Sequence, residues 1–285
     1  MRKSRLSHLI SLSKRSSQNP GSSTVGIEFI FSFIGIVGGA AAGWKLKFLT
    51  ASGAGMAFLV GSLIVLGSGI QGLMLLFLFF ITSSLFSAFR KEEKAGVEEK
   101  LAKSSTRDWE QVAANGGVPA IFAILALWTG DAVWTMGFAA AIASANSDTW
   151  ASEIGPLSKE APRHFLTFRK VERGTSGGVS ILGTGASAGG ALLIAGASLL
   201  LLPGTSLGGA GVIAAAGFLG SVFDTVIGGT IQSRSVCPEC GLETESHAHC
   251  GMATVHTGGI PWMTNEMVNF LSCLIAGILP VLFFW

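Results

Sequence analysis

The chain has 285 residues, of which 49% are hydrophobic and only 13% are charged. Soluble domains carry roughly 25% charged residues, so this composition excludes an ordinary soluble protein and predicts an integral membrane protein. The net charge of +2 is too small for a nucleic-acid-binding surface, which excludes nucleic acid as a partner.

Residues 1–22 form a polar tail with a basic character. Its cations are Arg2, Lys3, Arg5, Lys14 and Arg15. The tail lacks a uniform apolar core followed by a small-residue cleavage site, so it does not resemble a signal peptide. The basic residues instead favour contact with an anionic membrane leaflet.

Residues 23–285 are predicted to form a single all-α domain, a polytopic helical membrane protein with about eight transmembrane helices. The predicted spans are 24–42, 49–66, 70–89, 111–128, 132–145, 177–202, 208–231 and 262–284. Long polar loops follow at 90–110, 146–176 and 232–261. The 39 glycines suit closely packed membrane helices, because small residues let backbones approach.

Positive charges predict the orientation of this bundle. With eight spans, the turn at 44–48 and the three long loops lie on one face, which then holds 14 of the 19 lysines and arginines. Short loops rich in Lys and Arg stay in the cytoplasm. The face with the long loops is therefore predicted to be cytoplasmic.

Four predicted spans carry polar groups near this face. They are Gln111 and Asn115 in the fourth span, Asn146 and Asp148 after the fifth, Asp224 in the seventh, and Asn265, Glu266 and Asn269 in the eighth. A lone amide in a membrane helix commonly bonds a neighbouring helix. Polar groups at matching depth on four helices instead predict a shared polar cavity facing the cytoplasm.

The acids in this cavity are candidate metal ligands. Asp148, Ala151 and Gly155 form an Asp-x-x-Ala-x-x-x-Gly pattern that also includes Glu153. Carboxylate oxygens are the ligands that Mg²⁺ prefers. We predict Asp148 and Asp224 as the leading Mg²⁺ ligands, with Glu153 as the third.

A basic, glycine-rich segment follows in the loop 146–176. Arg169, Lys170 and Arg173 precede the run Gly174, Thr175, Ser176, Gly177 at the predicted start of the sixth span. Backbone N–H groups and the helix dipole favour an anion at such a position, so the segment is a predicted phosphate cradle. The alternatives are a solvated loop whose cations only set topology, and a nucleotide site in loop 90–110.

The last loop contains a cysteine and histidine cluster. Its members are Cys237, Cys240, His247, His249, Cys250 and His256. A Cys-x-x-Cys hairpin with a third Cys and a His predicts structural Zn²⁺, with a redox dithiol and unligated residues as alternatives. Because His249 is adjacent to Cys250, we expect His247 or His256 to be the fourth ligand.

Four segments together carry a family resemblance. Residues 107–117, 144–155, 174–180 and 265–270 resemble the integral membrane family that includes plant phytyl-phosphate kinase and an animal transmembrane homologue. The Asp-x-x-Ala-x-x-x-Gly pattern also resembles the wider group of CTP-dependent polyprenol kinases and phosphatidate cytidylyltransferases. The resemblance covers residues from about 28 to 285, nearly the whole chain. Glu266 departs from the family motif, in which Asp or Asn is expected.

This resemblance implies transfer of a nucleotide γ-phosphate, with CTP favoured, to an isoprenoid monophosphate. The implied catalytic residues are Asp148, Asp224, Glu153, Lys170 and Arg173, with Arg169 as a further phosphate clamp. Nucleotide or substrate contacts are expected from Gln111, Asn115, Asn146, Asn265, Asn269 and the turn 174–177. The isoprenoid chain is expected to enter from the lipid bilayer between apolar helices.

Other functions remain compatible with these residues. A CTP-dependent cytidylyltransferase or a prenol kinase would use the same ligands on a lipid substrate. A membrane transporter would place its polar groups near the middle of the bilayer rather than toward one face. A scaffold without enzymatic activity would tolerate amides in place of Asp148 and Asp224.

Overall fold

The computed structural model describes residues 21–98, 100, 102–103 and 105–284, so nearly all of the predicted tail lies outside the described residues. The helices are α1 (Gly21–Lys45), α2 (Ala51–Ala88), α3 (Ala95–Glu98), α4 (Trp109–Thr129), α5 (Ala132–Ile154), α6 (Ile181–Leu201), α7 (Leu207–Ile231) and α8 (Asn265–Phe284). Short 3-10 helices occupy Lys91–Lys94 and Gly155–Leu157.

Helix α2 is broken at Gly69, where φ is 63° and ψ is −164°. Both of its ends lie beside Arg107: the Thr50 backbone N–H donates to the Arg107 carbonyl at 3.0 Å, and Arg107 Nη1 donates to Ser84 Oγ at 3.1 Å. The helix therefore doubles back on itself. Its halves correspond to the predicted spans 49–66 and 70–89, and glycine is favoured at the break because φ is positive there.

Helix α5 is the centre of the bundle and contacts α2, α4, α6, α7 and α8. Residues 137–147 are buried without interruption. Close packing against α7 depends on small residues, since a Cβ on Gly217 would lie 2.4 Å from Ala143 Cβ. Likewise, a Cβ on Gly220 would lie 2.1 Å from Ser144 Oγ. These approaches exclude larger side chains on this face of α7.

Five helices of the described chain are long and apolar enough to cross a membrane: α2, α4, α6, α7 and α8. The apolar part of α1, Ile30–Lys45, is shorter. Helix α5 is not among the five, because its C-terminal half is polar. The predicted helical membrane protein is confirmed, while the number of eight spans stays a prediction.

All strands of the described chain lie in the connections between helices. They are β1 (Arg163–His164), β2 (Gly178–Val179), β3 (Arg234–Val236), β4 (Glu243–Thr244), β5 (Ala248–His249), β6 (Met252–Ala253) and β7 (Val255–Gly258). Antiparallel pairing joins β1 to β2 and β5 to β6, and forms a three-stranded sheet in the order β4-β3-β7. The all-α prediction holds for the helical bundle but omitted these small sheets.

Two predicted boundaries were wrong in ways that matter for the site. Residues 146–154, assigned to a loop, continue helix α5, because their polar side chains face protein and a cavity rather than lipid. The predicted span 177–202 starts later, at Ile181, where the Ser180 side chain caps the Gly183 N–H at 3.1 Å. The glycine turn before it is therefore not the first turn of a helix.

Candidate functional site

A cavity of about 530 Å³ lies at the end of the bundle where the three long connections meet. Ends of six helices line it: Ser87 of α2, Gln111 and Asn115 of α4, Asp148 of α5, Thr184 of α6, Asp224 of α7, and Asn265 and Asn269 of α8. Six of the eight polar residues predicted for a shared cavity, from four separate spans, are thus brought to one place, and Asn146 and Glu266 are not among them.

The connections bond to one another over this cavity. The Glu245 backbone N–H donates to the Lys100 carbonyl at 2.9 Å, and Lys100 forms an ion pair with Glu172. Ser176 Oγ donates to Glu245 Oε1 at 3.4 Å. The three connections therefore form one polar cover at the same end of the bundle.

Two carboxylates meet in the cavity wall. Asp148 of α5 and Asp224 of α7 both line the cavity and lie close enough to interact electrostatically, and Ser272 Oγ donates to Asp224 Oδ2 at 3.1 Å. Two neighbouring carboxylates repel each other when both are ionised, so a shared proton or cation is favourable there. The pair offers hard oxygen ligands, so it fits Mg²⁺.

Glu153 also lines the cavity but has its own partners. Its carboxylate accepts hydrogen bonds from Lys94 Nζ at 2.5 Å and from Ser87 Oγ at 2.5 Å. Lys94 is buried, and its ammonium also reaches the carbonyls of Phe86 and Ser87. Five residues along a helix correspond to a rotation of about 140°, so Glu153 does not share the face of Asp148. The structure thus places Glu153 in the same cavity wall as the two predicted leading ligands, but pairs it with Lys94.

The glycine turn lies in the cavity wall, and one of the three predicted clamp cations lies with it. Gly174, Thr175, Ser176 and Gly177 line the cavity, with φ of 81° at Gly174 and 78° at Gly177. Arg173 also lines it, and its guanidinium donates to the Ser158 carbonyl at 2.6 Å.

Arg169 and Lys170 are exposed and lie outside the cavity wall. Lys170 pairs with Arg163 of β1 in an isolated β-bridge. The prediction placed all three cations together because they are close in sequence, but of the three only Arg173 lines the cavity.

Asn146 is the predicted polar residue that the fold uses for packing. It is fully buried, and its Nδ2 donates to the Gly190 carbonyl of α6 at 2.8 Å. It does not line the cavity. The amide joins two helices, which is the ordinary role of such a residue in a membrane bundle.

Sequence reasoning missed one acid of the cavity, Glu245. It lies in the last connection and accepts hydrogen bonds from Gln232 Nε2 at 2.5 Å and from Ser176 Oγ. Burial raises the pKa of Glu245 to about 7, and the charge of Glu266 adds to the effect. No sequence pattern marks this acid, because it stands between the cysteine turns in a loop without periodicity.

Glu266, which departs from the family motif, forms an ion pair with Lys103. The Lys103 ammonium lies 3.3 Å from Glu266 and 2.9 Å from Asp108, and it also pairs with Glu110. Burial lowers the pKa of Lys103, but these three carboxylates outweigh that effect and raise the pKa overall. Glu266 therefore holds a lysine of the cavity wall.

The last connection gathers a separate set of ligands. Cys237, Cys240, His249 and Cys250 each offer a ligand atom, and these atoms lie within 4.8 Å of one another, so the cluster could hold a metal ion. His247 and His256 are not part of the group. The cluster contains His249 rather than the expected His247 or His256. The backbone turns at Cys250, where φ is 51°, so the adjacent side chains of His249 and Cys250 can face the same point.

Comparison with known proteins gives a family match. The model of the family described as integral membrane protein DUF92 matches residues 34–277. An uncharacterized membrane protein of Methanocaldococcus jannaschii is 32% identical over 230 residues, covering 79% of this chain and 82% of that protein.

Two proteins of Arabidopsis thaliana are also similar. Protein PGR is 29% identical over 268 residues, covering 83% of this chain and 89% of PGR. The chloroplastic protein VTE6 is 25% identical over 241 residues, covering 82% of this chain and 65% of VTE6. No solved structure matches the chain.

Proposed function

Because the chain belongs to the integral membrane protein family DUF92, as its motifs predicted, we propose that it is a membrane-embedded lipid kinase. It would transfer the γ-phosphate of a nucleoside triphosphate, with CTP favoured, to an isoprenoid monophosphate. The similarity to VTE6 and the motif resemblance to plant phytyl-phosphate kinase both support this reaction class.

The observation that carries the proposal is the Asp148 and Asp224 pair in a cavity that also holds Arg173 and a glycine turn. Carboxylates suit a divalent cation, whereas a guanidinium and exposed backbone N–H groups suit phosphate oxygens. Both chemistries in one cavity are the requirements of phosphoryl transfer. Mg²⁺ held by the two aspartates would neutralise charge on the nucleotide phosphates.

The acceptor needs little activation in this reaction. A phosphate monoester has a second pKa of about 6, so its oxygen is already anionic near neutral pH. That oxygen attacks the γ-phosphorus, and the bond from the γ-phosphorus to the β–γ bridging oxygen breaks, so the nucleoside diphosphate leaves. No proton has to be removed, and the protein contributes mainly positioning and charge neutralisation.

The lipid chain can reach the cavity from the side. Thr184 of α6 and Val222 of α7 line the cavity and are also exposed at the surface of the bundle. Exposed apolar side chains lie one turn before each of these residues, Ile181 on α6 and Leu219 on α7. An isoprenoid chain would lie between these helices with its phosphate directed to Asp148 and Asp224.

The decisive experiment uses the purified full-length protein in detergent with CTP, ATP, GTP or UTP and a panel of prenols and prenyl monophosphates. The proposal expects γ-phosphate label in a prenyl diphosphate and release of the nucleoside diphosphate. Label from the cytidine moiety in the lipid product would indicate a cytidylyltransferase, and label on a free prenol would indicate a prenol kinase. No transfer to any lipid would refute the kinase proposal.

The phosphate contact predicts a difference between two neighbouring cations. Arg173→Ala should raise the nucleotide KM or lower kcat by roughly 10- to 150-fold, since a charge-assisted hydrogen bond contributes about 1.5–3 kcal/mol. Lys170→Ala is the matched control and should keep the wild-type kinetics, because Lys170 lies outside the cavity wall. Steady-state kinetics on both variants test this, and equal losses would contradict the separation of the two side chains.

We also propose that the cavity opens to the cytoplasm, because the connections around it carry most of the basic residues. A protease site inserted after Lys159 or after Glu243, both exposed, should be cut in inside-out vesicles and protected in right-side-out vesicles. Cleavage of the two insertions from opposite sides would contradict the arrangement in which these connections share one face.

The cysteine and histidine cluster is proposed to hold Zn²⁺ as a structural ion. Three thiolates and one imidazole are soft ligands in a closed set of four, which suits Zn²⁺ and does not suit Mg²⁺.

A further inference from the structure

Two tight turns supply the four ligands of the cluster. Cys237 and Cys240 lie in the turn between β3 and β4, where the Gly241 N–H donates to the Cys237 carbonyl at 2.9 Å. His249 and Cys250 lie at the turn between β5 and β6. Each turn thus presents two ligands toward the other turn, which is the usual construction of a four-ligand structural zinc site.

The spacing of the ligand atoms already matches a zinc tetrahedron. Zn–S bonds of about 2.3 Å and Zn–N bonds of about 2.0 Å place neighbouring ligand atoms roughly 3.5 Å apart. In the structure, His249 Nδ1 lies 3.4 Å from Cys240 Sγ and 3.2 Å from Cys250 Sγ. Three cysteines cannot all pair in one disulfide, so a shared cation explains the whole cluster better than a redox dithiol.

The cluster is connected to the cavity by the segment between the two turns. Thr244 ends β4 and Glu245 follows it, and both donate to the Lys100 carbonyl at 2.9 Å, Thr244 through Oγ1 and Glu245 through its backbone N–H. The Glu245 carboxylate reaches into the cavity wall and accepts from Ser176 of the glycine turn. Fixing the two cysteine-bearing turns therefore also fixes Glu245 against Ser176.

We infer that Zn²⁺ at Cys237, Cys240, His249 and Cys250 acts as a clamp that holds Glu245 against the glycine turn 174–177. Glu245 is a positioning residue here: it orders the turn through Ser176. The zinc site itself is independent of the proposed kinase activity, and only the assignment of the turn to phosphate binding rests on that function.

Metal content tests the site directly. Full-length protein purified without chelator should contain about one zinc ion per chain by inductively coupled plasma mass spectrometry. Cys240→Ser should lose it, whereas His256→Ala and Cys273→Ser, which change residues outside the cluster, should keep it. Wild-type protein without bound zinc, or equal loss in His256→Ala, would overturn the site.

Reversible removal of the ion tests the clamp without relying on a variant that misfolds. Zinc is stripped from the wild-type protein with a membrane-permeant chelator and then restored, and amide hydrogen exchange is followed in both states. Exchange in residues 174–178 should become about tenfold faster or more on removal and recover with zinc. The turn Gly130–Asp131 at the other end of the bundle should not change.

Glu245→Ala, which removes the oxygen that accepts from Ser176, separates the clamp from the metal site. This variant should keep its zinc, because residue 245 is not a ligand, but should show faster exchange in residues 174–178 even when zinc is bound. Bound zinc with unchanged exchange after both stripping and substitution would overturn the clamp and leave the metal site standing. Failure of the kinase assay would affect neither readout, so the two proposals fail separately.

Discussion

Asp148→Asn and Asp224→Asn are each expected to abolish measurable turnover while the protein still inserts and folds. Asparagine keeps the shape of the side chain but removes one of the two charges that would hold the cation between α5 and α7. Loss of metal-dependent charge stabilisation costs several kcal/mol in the transition state, a factor of roughly 10³ or more in rate. Kinetic assays of each variant with saturating Mg²⁺ measure this loss.

A matched control is Asp131→Asn, which makes the same chemical change at the opposite end of α5. Asp131 caps the helix through the Val133 N–H at 3.0 Å, and asparagine caps equally well. This variant should keep wild-type turnover. In a separate test of the metal, EDTA should stop the wild-type enzyme, and added Mg²⁺ should restore its activity. Full activity in either Asp148→Asn or Asp224→Asn would remove that residue from the metal site.

Lys94→Met is expected to destabilise the protein by about 3–5 kcal/mol, because it leaves the Glu153 carboxylate without its cation. The ion pair is largely buried, with Lys94 5% and Glu153 21% exposed. It joins the segment after α2 to the end of α5. Thermal unfolding in detergent measures the change, and the double variant Lys94→Met, Glu153→Leu should recover much of the loss since no charge is left unpaired.

The controls separate this structural role from metal binding. Lys45→Met removes an exposed lysine and should change stability by less than about 0.5 kcal/mol. Glu153→Gln should lower stability but leave turnover per folded molecule close to wild type. A loss of turnover in Glu153→Gln at unchanged stability would restore Glu153 as the third metal ligand that the sequence predicted.

The positions of Asp148 and Glu153 show one limit of sequence reasoning about the site. Asp148 and Glu153 stand five residues apart and were grouped as ligands of one ion. Once residues 146–154 are helical, the two side chains start about 140° apart around the helix axis, although both line the cavity. The loop prediction hid this difference, because a loop has no fixed rotation between successive side chains.

The glycine turn shows a second limit, which is the position of a helix end. A helix beginning at Gly177 would place the turn at a dipole terminus, but α6 begins at Ile181 with Ser180 as its cap. Apolar composition marks where a span lies and leaves its end uncertain, since glycine and serine occur both in membrane helices and in turns. The phosphate proposal for this turn now depends on its position in the cavity wall.

The sequence by itself determined the class of the protein, the approximate positions of its membrane helices, its family and the two acids that meet in the cavity. Composition and hydropathy are local properties, and an acid in an apolar run is visible without a structure. Only the tertiary structure decided that Asp224 and Asp148 line one cavity, that Lys94 pairs with Glu153, and that Glu245 and His249 face a site. These contacts join residues distant in sequence, and they depend on helix rotation and loop path, which are set by packing of the whole bundle.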